Sequence, residues 1–194
     1  MQSDNSKISD IFNDLTFSKA EIKIIESVFH KATYKKGSIL LYAGDIADTQ
    51  YFIYNGCLRS YLMDSHGKEH TVQFGIKDWW ISDYTAYFSS SKSIMNIEVI
   101  KDATLYAISH DDKEFLYTQI PKIESFFRKK LERALAAFQN RILRSLSQSA
   151  SERYTNFIES YPNIDKNLKN YHIASYLGIT TESLSRIRKE LSKY

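Results

Sequence analysis

The stretch Tyr171 to Lys189 leaves this chain few options at its C-terminal end. Ile173, Ala174 and Leu177 share one helical face, and Gly178 then supplies the left-handed residue that closes a helix. Ile179 suits a buried turn position. Thr180 is a good N-cap, and Leu184, Ile187 and Leu191 form the apolar stripe of a second helix at spacings of three and four. At about 100° per residue, Glu182, Ser185, Arg186 and Lys189 point the opposite way. Two short helices joined like this make an αα-hairpin in many helical domains. They make a helix-turn-helix when the second helix is free to enter a major groove. The outward face favours the second reading, because Arg can bond guanine O6 and N7 bidentately and Glu can accept from cytosine N4. Glu182 and Arg186 at i,i+4 would also serve as an ordinary surface ion pair.

Bulk properties exclude several classes. A chain of 194 residues, 43% hydrophobic and 14% aromatic, has ample material for packed cores in one large or two small domains. No apolar run approaches the roughly 18 residues of a membrane span, and Met1 to Asp10 is polar without a signal-peptide core, so a cytoplasmic protein with no membrane partner is expected. The single cysteine, Cys57, permits no internal disulfide and no cysteine-held cluster, and it sits in an apolar run that suits a core residue. His30, His66, His70, His110 and His172 show no metal-ligand spacing, and no nucleophile elbow or phosphate loop occurs. No catalytic residue, metal or cofactor is therefore expected, and the chain does not read as an enzyme. Charge is segregated: residues 1–121 hold 12 Lys+Arg against 16 Asp+Glu, and residues 122–194 hold 14 against 7. A basic helical half suits a polyanion, although a solvated basic face gives the same count.

The period of the apolar pattern divides the chain. Ser18 with Glu21 reads as a capping box opening a short helix that carries Ile22, Ile25, Val28 and Phe29. From Tyr34 to Ser109 the period is two. Runs at Ser38–Tyr42, Gln50–Tyr54, Cys57–Met63, His70–Phe74, Ile94–Ile100 and Ala103–Ile108 are separated by turn signals at Gly44-Asp45, Asn55-Gly56, Asp64 to Gly67 and Lys101-Asp102. Short strands with hairpin turns predict an antiparallel β-barrel or jelly roll. Trp79 to Ser93 interrupts them, and such a segment in a barrel can hold a small ligand. Lys122 to about Ser147 predicts a long helix with Phe127, Leu131, Ala134, Leu135, Phe138, Ile142 and Leu146 near a heptad stripe. Such a stripe either covers the barrel or pairs with a second copy, or does both. Ser149 with Glu152 caps a further helix, Ser151–Tyr161, which Pro162-Asn163 ends. The fold class is thus α+β: a β-barrel sensor or effector domain at 1–121, a dimerisation helix at 122–148, and a helix-turn-helix DNA-binding domain at 149–194.

Barrel, long helix and C-terminal helix-turn-helix resemble the Crp/Fnr family of the cyclic-AMP receptor protein and its relatives. The resemblance runs from about Ser18 onward. Gly37 through Gly44-Asp45 and Tyr51 through Arg59 resemble its first barrel hairpins. Phe127 to Tyr154 and His172 to Thr180 resemble Bacteroidetes-type members. The family implies a homodimeric transcription regulator on double-stranded DNA with inverted-repeat symmetry, with RNA polymerase as a candidate partner and a small-molecule effector that the sequence does not name. Glu182, Ser185 and Arg186 match the Glu-x-x-Ser-Arg signature of the Fnr-type recognition helix, which implies base contacts by these three and phosphate contacts by Thr181, Ser183 and Lys189. The effector pocket falls at Trp79, Trp80, Asp83, Tyr84 and Ser93. The family's Gly-Glu and Arg-Ser nucleotide ligands are replaced by Ile81-Ser82-Asp83-Tyr84 and by Lys92-Ser93-Ile94, and no arginine lies between Arg59 and Arg128. A cyclic phosphate would lack its bidentate partner, so cyclic AMP is not the expected effector. The oxygen-sensing members' N-terminal cysteines and the family's C-terminal wing strands are also missing. The alternative from another class is a small-molecule binding module, for cyclic nucleotide or other ligand, that does not bind DNA.

Overall fold

The structure is a computed structural model that describes residues 8–161, 164 and 168–192. After a 3-10 turn at Ile8–Phe12, the first helix, α1 (Lys19–Val28), opens on the expected capping box: Glu21 N–H donates to Ser18 Oγ, and Ser18 N–H donates to the Glu21 carboxylate. Six strands follow: β1 (His30–Tyr34), β2 (Ile39–Leu41), β3 (Thr49–Met63), β4 (Glu69–Ile76), β5 (Trp80–Ile81) and β6 (Asn96–Ser109). All pair antiparallel in the order β1-β6-β3-β4, with β2 on β6 and β5 on β3. The interior between them is filled by Leu41, Ile53, Leu58, Ile97, Val99 and Leu105.

Two expected hairpins are instead bends in long strands. Asn55-Gly56 and Lys101-Asp102 carry turn residues, yet β3 and β6 run through them, and their mutual register slips between Ile53 and Leu58. Gly56 has φ +107, and the Asn55 side-chain oxygen accepts from the Gly56 N–H at 2.8 Å. The irregular backbone is thereby absorbed as bulges that coil the ribbon rather than reverse it. The Asp102 carboxylate accepts from Lys35 Nζ and Lys36 N–H, both at 2.8 Å, and so anchors the turn between β1 and β2. β1 itself begins four residues before the alternation does, because most of its side chains are exposed and leave little apolar pattern.

Two helices also escape the periodicity. α2 (Tyr84–Ser89) lies inside the aromatic interruption, and α3 (His110–Gln119), capped by Ser109, buries only Lys113 and Leu116. Lys113 sits beneath the Tyr87 and Phe127 rings, and burial pushes its pKa down to about 8. α4 (Pro121–Ser147) starts with proline in the first turn, where no donor is lost. Its first turns pack Ile123, Phe126 and Phe127 against Phe12, Ile25 and Phe52. α5 (Ala150–Ser160), α6 (Asn170–Leu177) and α7 (Thr181–Leu191) complete the chain, and the expected stop at Pro162-Asn163 lies outside the described residues. Their core of Tyr154, Phe157, Ile173, Leu184 and Ile187 is continuous with Cys57, Phe74 and Ile100 of the sheet. Among the described residues no helix is long and apolar enough to cross a membrane.

Gly56 is the tightest point of the ribbon. An added Cβ would meet the Ala103 Cβ at 2.5 Å, its Cα at 2.6 Å and the Asp102 carbonyl at 2.7 Å. With the left-handed strain added, Gly56→Ala is expected to cost about 2–4 kcal/mol in urea unfolding, whereas a loss under about 0.5 kcal/mol would show that the bulge yields.

Candidate nucleic-acid interface and effector segment

The last three helices take the geometry read from the sequence. Gly178 closes α6 at φ 67, ψ 35, with the Ile179 N–H donating to the Ala174 carbonyl at 3.0 Å. Thr180 Oγ1 accepts from the Ser183 N–H at 3.2 Å and starts α7. Leu184 and Ile187 are buried, while Leu191 at the helix end is exposed. On the other face Glu182, Ser185, Arg186 and Lys189 are exposed, with Thr181 and Ser183 half-buried in the first turn.

The side chains on that face differ in readiness. No ion pair joins Glu182 to Arg186 among the described residues, so the guanidinium is not tied up by its i−4 neighbour. Glu182 is held below the usual carboxylate range by the backbone N–H at the helix start, then by Thr180 and Thr181, and it stays an acceptor. Ser185 Oγ donates to the Thr181 carbonyl at 2.9 Å, so its proton is occupied and its lone pairs face outward.

Arg188, unremarkable in the sequence, turns inward. Its Nε donates to Tyr154 Oη at 3.0 Å and its Nη1 to Asn170 Oδ1 at 2.6 Å, tying α7 to α5 and to the first residue of α6. Its position one residue after buried Ile187, on the flank of the inner stripe, was the available signal. Arg153 does similar work, donating to the Gln148 carbonyl at 2.7 Å and the Leu177 carbonyl at 3.2 Å. A basic residue near a helix C-terminus satisfies carbonyls that otherwise lack partners.

Along α4 the apolar stripe divides. Phe127 is buried and Leu131 half-buried, but from Leu135 onward the stripe is uncovered: Leu135, Phe138, Ile142 and Leu146 are 45–80% exposed. Arg141, on another face, lays its guanidinium 4.1 Å from the Tyr176 ring and donates to the Val72 carbonyl.

The effector segment does not gather its five residues around one cavity. Asp83 and Ser93 come together, with Ser93 Oγ donating to Asp83 Oδ2 at 2.8 Å. Asp83 is fully buried as the N-cap of α2. Its carboxylate also accepts from Thr85 Oγ1 at 2.5 Å, from the backbone of Thr85 and Ala86, and from the Ile94 N–H. Burial would raise its pKa, but these hydrogen bonds together outweigh burial and keep it below the usual range. Tyr84 Oη accepts from Gln50 Nε2 at 2.9 Å and its ring stacks on Phe88. The two indoles diverge: Trp79 lies against Tyr161 with ring centres 5.4 Å apart, and Trp80 against Phe127 at 4.9 Å. Consecutive residues near a strand point to opposite faces, so the pair cannot line one pocket.

Two cations are buried among the described residues: Lys113, beneath the Tyr87 ring and 3.3 Å from Gln50 Oε1, and Arg59 of β3, 1% exposed, bridged at 2.7 Å to both Glu69 and Glu98 and lying over the Tyr61 ring. Among the described residues no group of His, Cys, Asp and Glu is placed to hold a metal ion.

Residues 31–119, which span the barrel and its flanking helix α3, match the cyclic nucleotide-binding domain family. The chain is 23% identical to the anaerobic regulatory protein of Aggregatibacter actinomycetemcomitans across 97% of its own length and 77% of the relative's. Its fold matches FixK2 from Bradyrhizobium japonicum with a TM-score of 0.73 at 19% identity, over 86% of this chain and 85% of that one. A structure described as a Crp/Fnr-family transcriptional regulator from Eubacterium rectale matches at 0.70 with 19% identity, over 96% and 88% of the two chains. The chain is thus similar along most of its length to regulators of this kind, and it shares their fold.

Proposed function

We propose that the chain is a homodimeric, sequence-specific DNA-binding transcription regulator rather than an enzyme, acting in the cytoplasm on double-stranded DNA and, through it, on RNA polymerase. The observation that carries this reading is the outward face of α7, where Glu182, Ser185, Arg186 and Lys189 stand exposed on a helix fixed from behind by Arg188, Leu184 and Ile187. Glu182 and Arg186 read a G·C pair, Ser185 adds a base contact, and Thr181, Ser183 and Lys189 hold the phosphates. The domain division follows the same logic: effector domain at 1–121, dimerisation helix at 122–148, DNA-binding domain at 149–194.

The uncovered stripe from Leu135 to Leu146 supports pairing of α4 with its copy. Two-fold symmetry then places the half-sites of an inverted repeat about one helical turn, ~10 base pairs, apart. Replacing Leu135 and Phe138 with Glu is expected to halve the sedimentation mass while leaving the fold intact, because both side chains are exposed. An unmodified protein that sediments as a monomer at micromolar concentration would refute the pairing.

Arg186→Ala is expected to cost roughly 1–3 kcal/mol on the cognate repeat and to flatten discrimination at one G·C pair. Lys189→Ala should instead weaken all sequences alike and lower the salt slope by about one. An unchanged ratio of cognate to random-DNA affinity in Arg186→Ala would remove α7 from the reading role.

The effector is neither cyclic AMP nor cyclic GMP. Asp83 and Ser93 spend their polar groups on each other and on α2, and Arg59 is held by two carboxylates, so no guanidinium is available for a cyclic phosphate. Titration calorimetry should show no micromolar binding of either nucleotide, and saturable micromolar heats would overturn this reading.

A further inference from the structure

A cavity of about 340 Å³ lies between the barrel and the helix-turn-helix domain. Its walls are Lys36 and Gly37 from the β1–β2 turn, Glu98 and Ile100 from β6, and Lys169 and His172 from the start of α6. His172 is 3% exposed, and neither ring nitrogen has a hydrogen-bond partner among the described residues. Buried polar groups nearly always find partners, and one left open on a cavity wall points to a missing ligand. Burial, with Arg59, Lys169 and Lys36 nearby, pushes its pKa down to about 3, so the ring is neutral and offers one donor and one acceptor.

The remaining groups define the ligand. Lys36 and Lys169 place two exposed ammonium groups at the mouth, and α6 begins at Lys169 with no side-chain cap on its first N–H groups. The Glu98 carboxylate opposes an anion, but Arg59 already pairs with it at 2.7 Å. Point-charge ammonium groups and helix N–H donors suit a phosphate, whereas a planar carboxylate is better met by an arginine fork, and Arg59 is engaged elsewhere. Ile100 and Gly37 leave apolar wall for a carbon skeleton, and the acceptor nitrogen of His172 suits a hydroxyl.

We propose that this cavity binds a small organic phosphate monoester carrying a hydroxyl group, bridging β6 to the first turn of α6. Asn170 in that turn is the partner of Arg188 on α7, so occupancy is transmitted to the reading helix and alters DNA affinity. This last step rests on the DNA-binding reading, and occupancy of the site does not.

The test titrates the full chain, without DNA, with glycerol phosphate, inorganic phosphate and glycerol. Glycerol phosphate is expected to bind saturably with a Kd at least tenfold below that of inorganic phosphate, and glycerol not at all. Lys36→Ala with Lys169→Ala should raise the Kd at least tenfold, and these surface positions keep the fold. His172→Gln, checked for folding by circular dichroism, should weaken binding as well. No saturable binding at millimolar concentration, equal affinity for the two phosphates, or an unchanged Kd in the double lysine variant overturns the site. On the inverted repeat, a ligand-dependent change in affinity that the double variant loses supports the coupling. Ligand binding by a protein that binds no DNA would leave the site standing and remove the regulatory reading instead.

Discussion

The antiparallel ladder between β3 and β6 is the constraint on which everything else rests. Every other strand pairs with one of these two, and the paired residues run from Thr49↔Ser109 to Tyr61↔Asn96 across 15- and 14-residue strands. The slip at Gly56 bends this ribbon, so that one stretch fills the barrel with Leu58 and Val99 while Cys57 and Ile100 turn outward to the helices. Fully buried positions such as Leu58 and Ile97 each carry several kcal/mol of packing, about 2–5 by truncation.

The second constraint is the free edge of β4. An edge strand exposes unpaired backbone groups, and here the helices answer them. Ser175 Oγ accepts from the Thr71 N–H at 2.8 Å and donates to the Glu69 carbonyl at 2.7 Å. Val72 is skipped in the β3–β4 register, and Arg141 of α4 meets its carbonyl. The helix that carries the apolar stripe and the helix that supports α7 thus touch the same strand of the barrel. Phe74 of that strand reinforces the joint through Phe157, Tyr161 and Tyr176, each pair worth about 0.5–1.5 kcal/mol beyond the area buried. The barrel edge and the last helices therefore meet in direct contact.

Buried charge is spent on the barrel rather than offered to a ligand. Arg59 is ion-paired to Glu69 and Glu98, and Asp83 accepts from α2, Ser93 and the Ile94 N–H. Removing one member of the Arg59 set would strand a buried charge, a cost larger than the set itself contributes to stability. The barrel keeps the cyclic nucleotide-binding fold while Arg59 and Asp83 are engaged by the chain's own groups.

The sequence by itself determined the local features. The capping boxes at Ser18 and Ser149, the Thr180 cap, the Gly178 helix end and the outward set on α7 all depend on contacts within about four residues, and all stand where the pattern put them. The apolar stripe of α4 was legible in its spacing, but only the packing decided that its second half stays uncovered. Only the tertiary structure decided that Asn55-Gly56 and Lys101-Asp102 are bends rather than hairpins, because a turn residue becomes a bulge when a long partner strand continues opposite it. It alone packed Trp80, partly buried, against the core and Trp79 against Tyr161, buried Arg59, and set His172 on the wall shared by β6 and α6, its ring nitrogens without a hydrogen bond among the described residues. Each of these depends on contacts between segments far apart in the chain, where burial and dielectric are set by the packing and not by the neighbours in sequence.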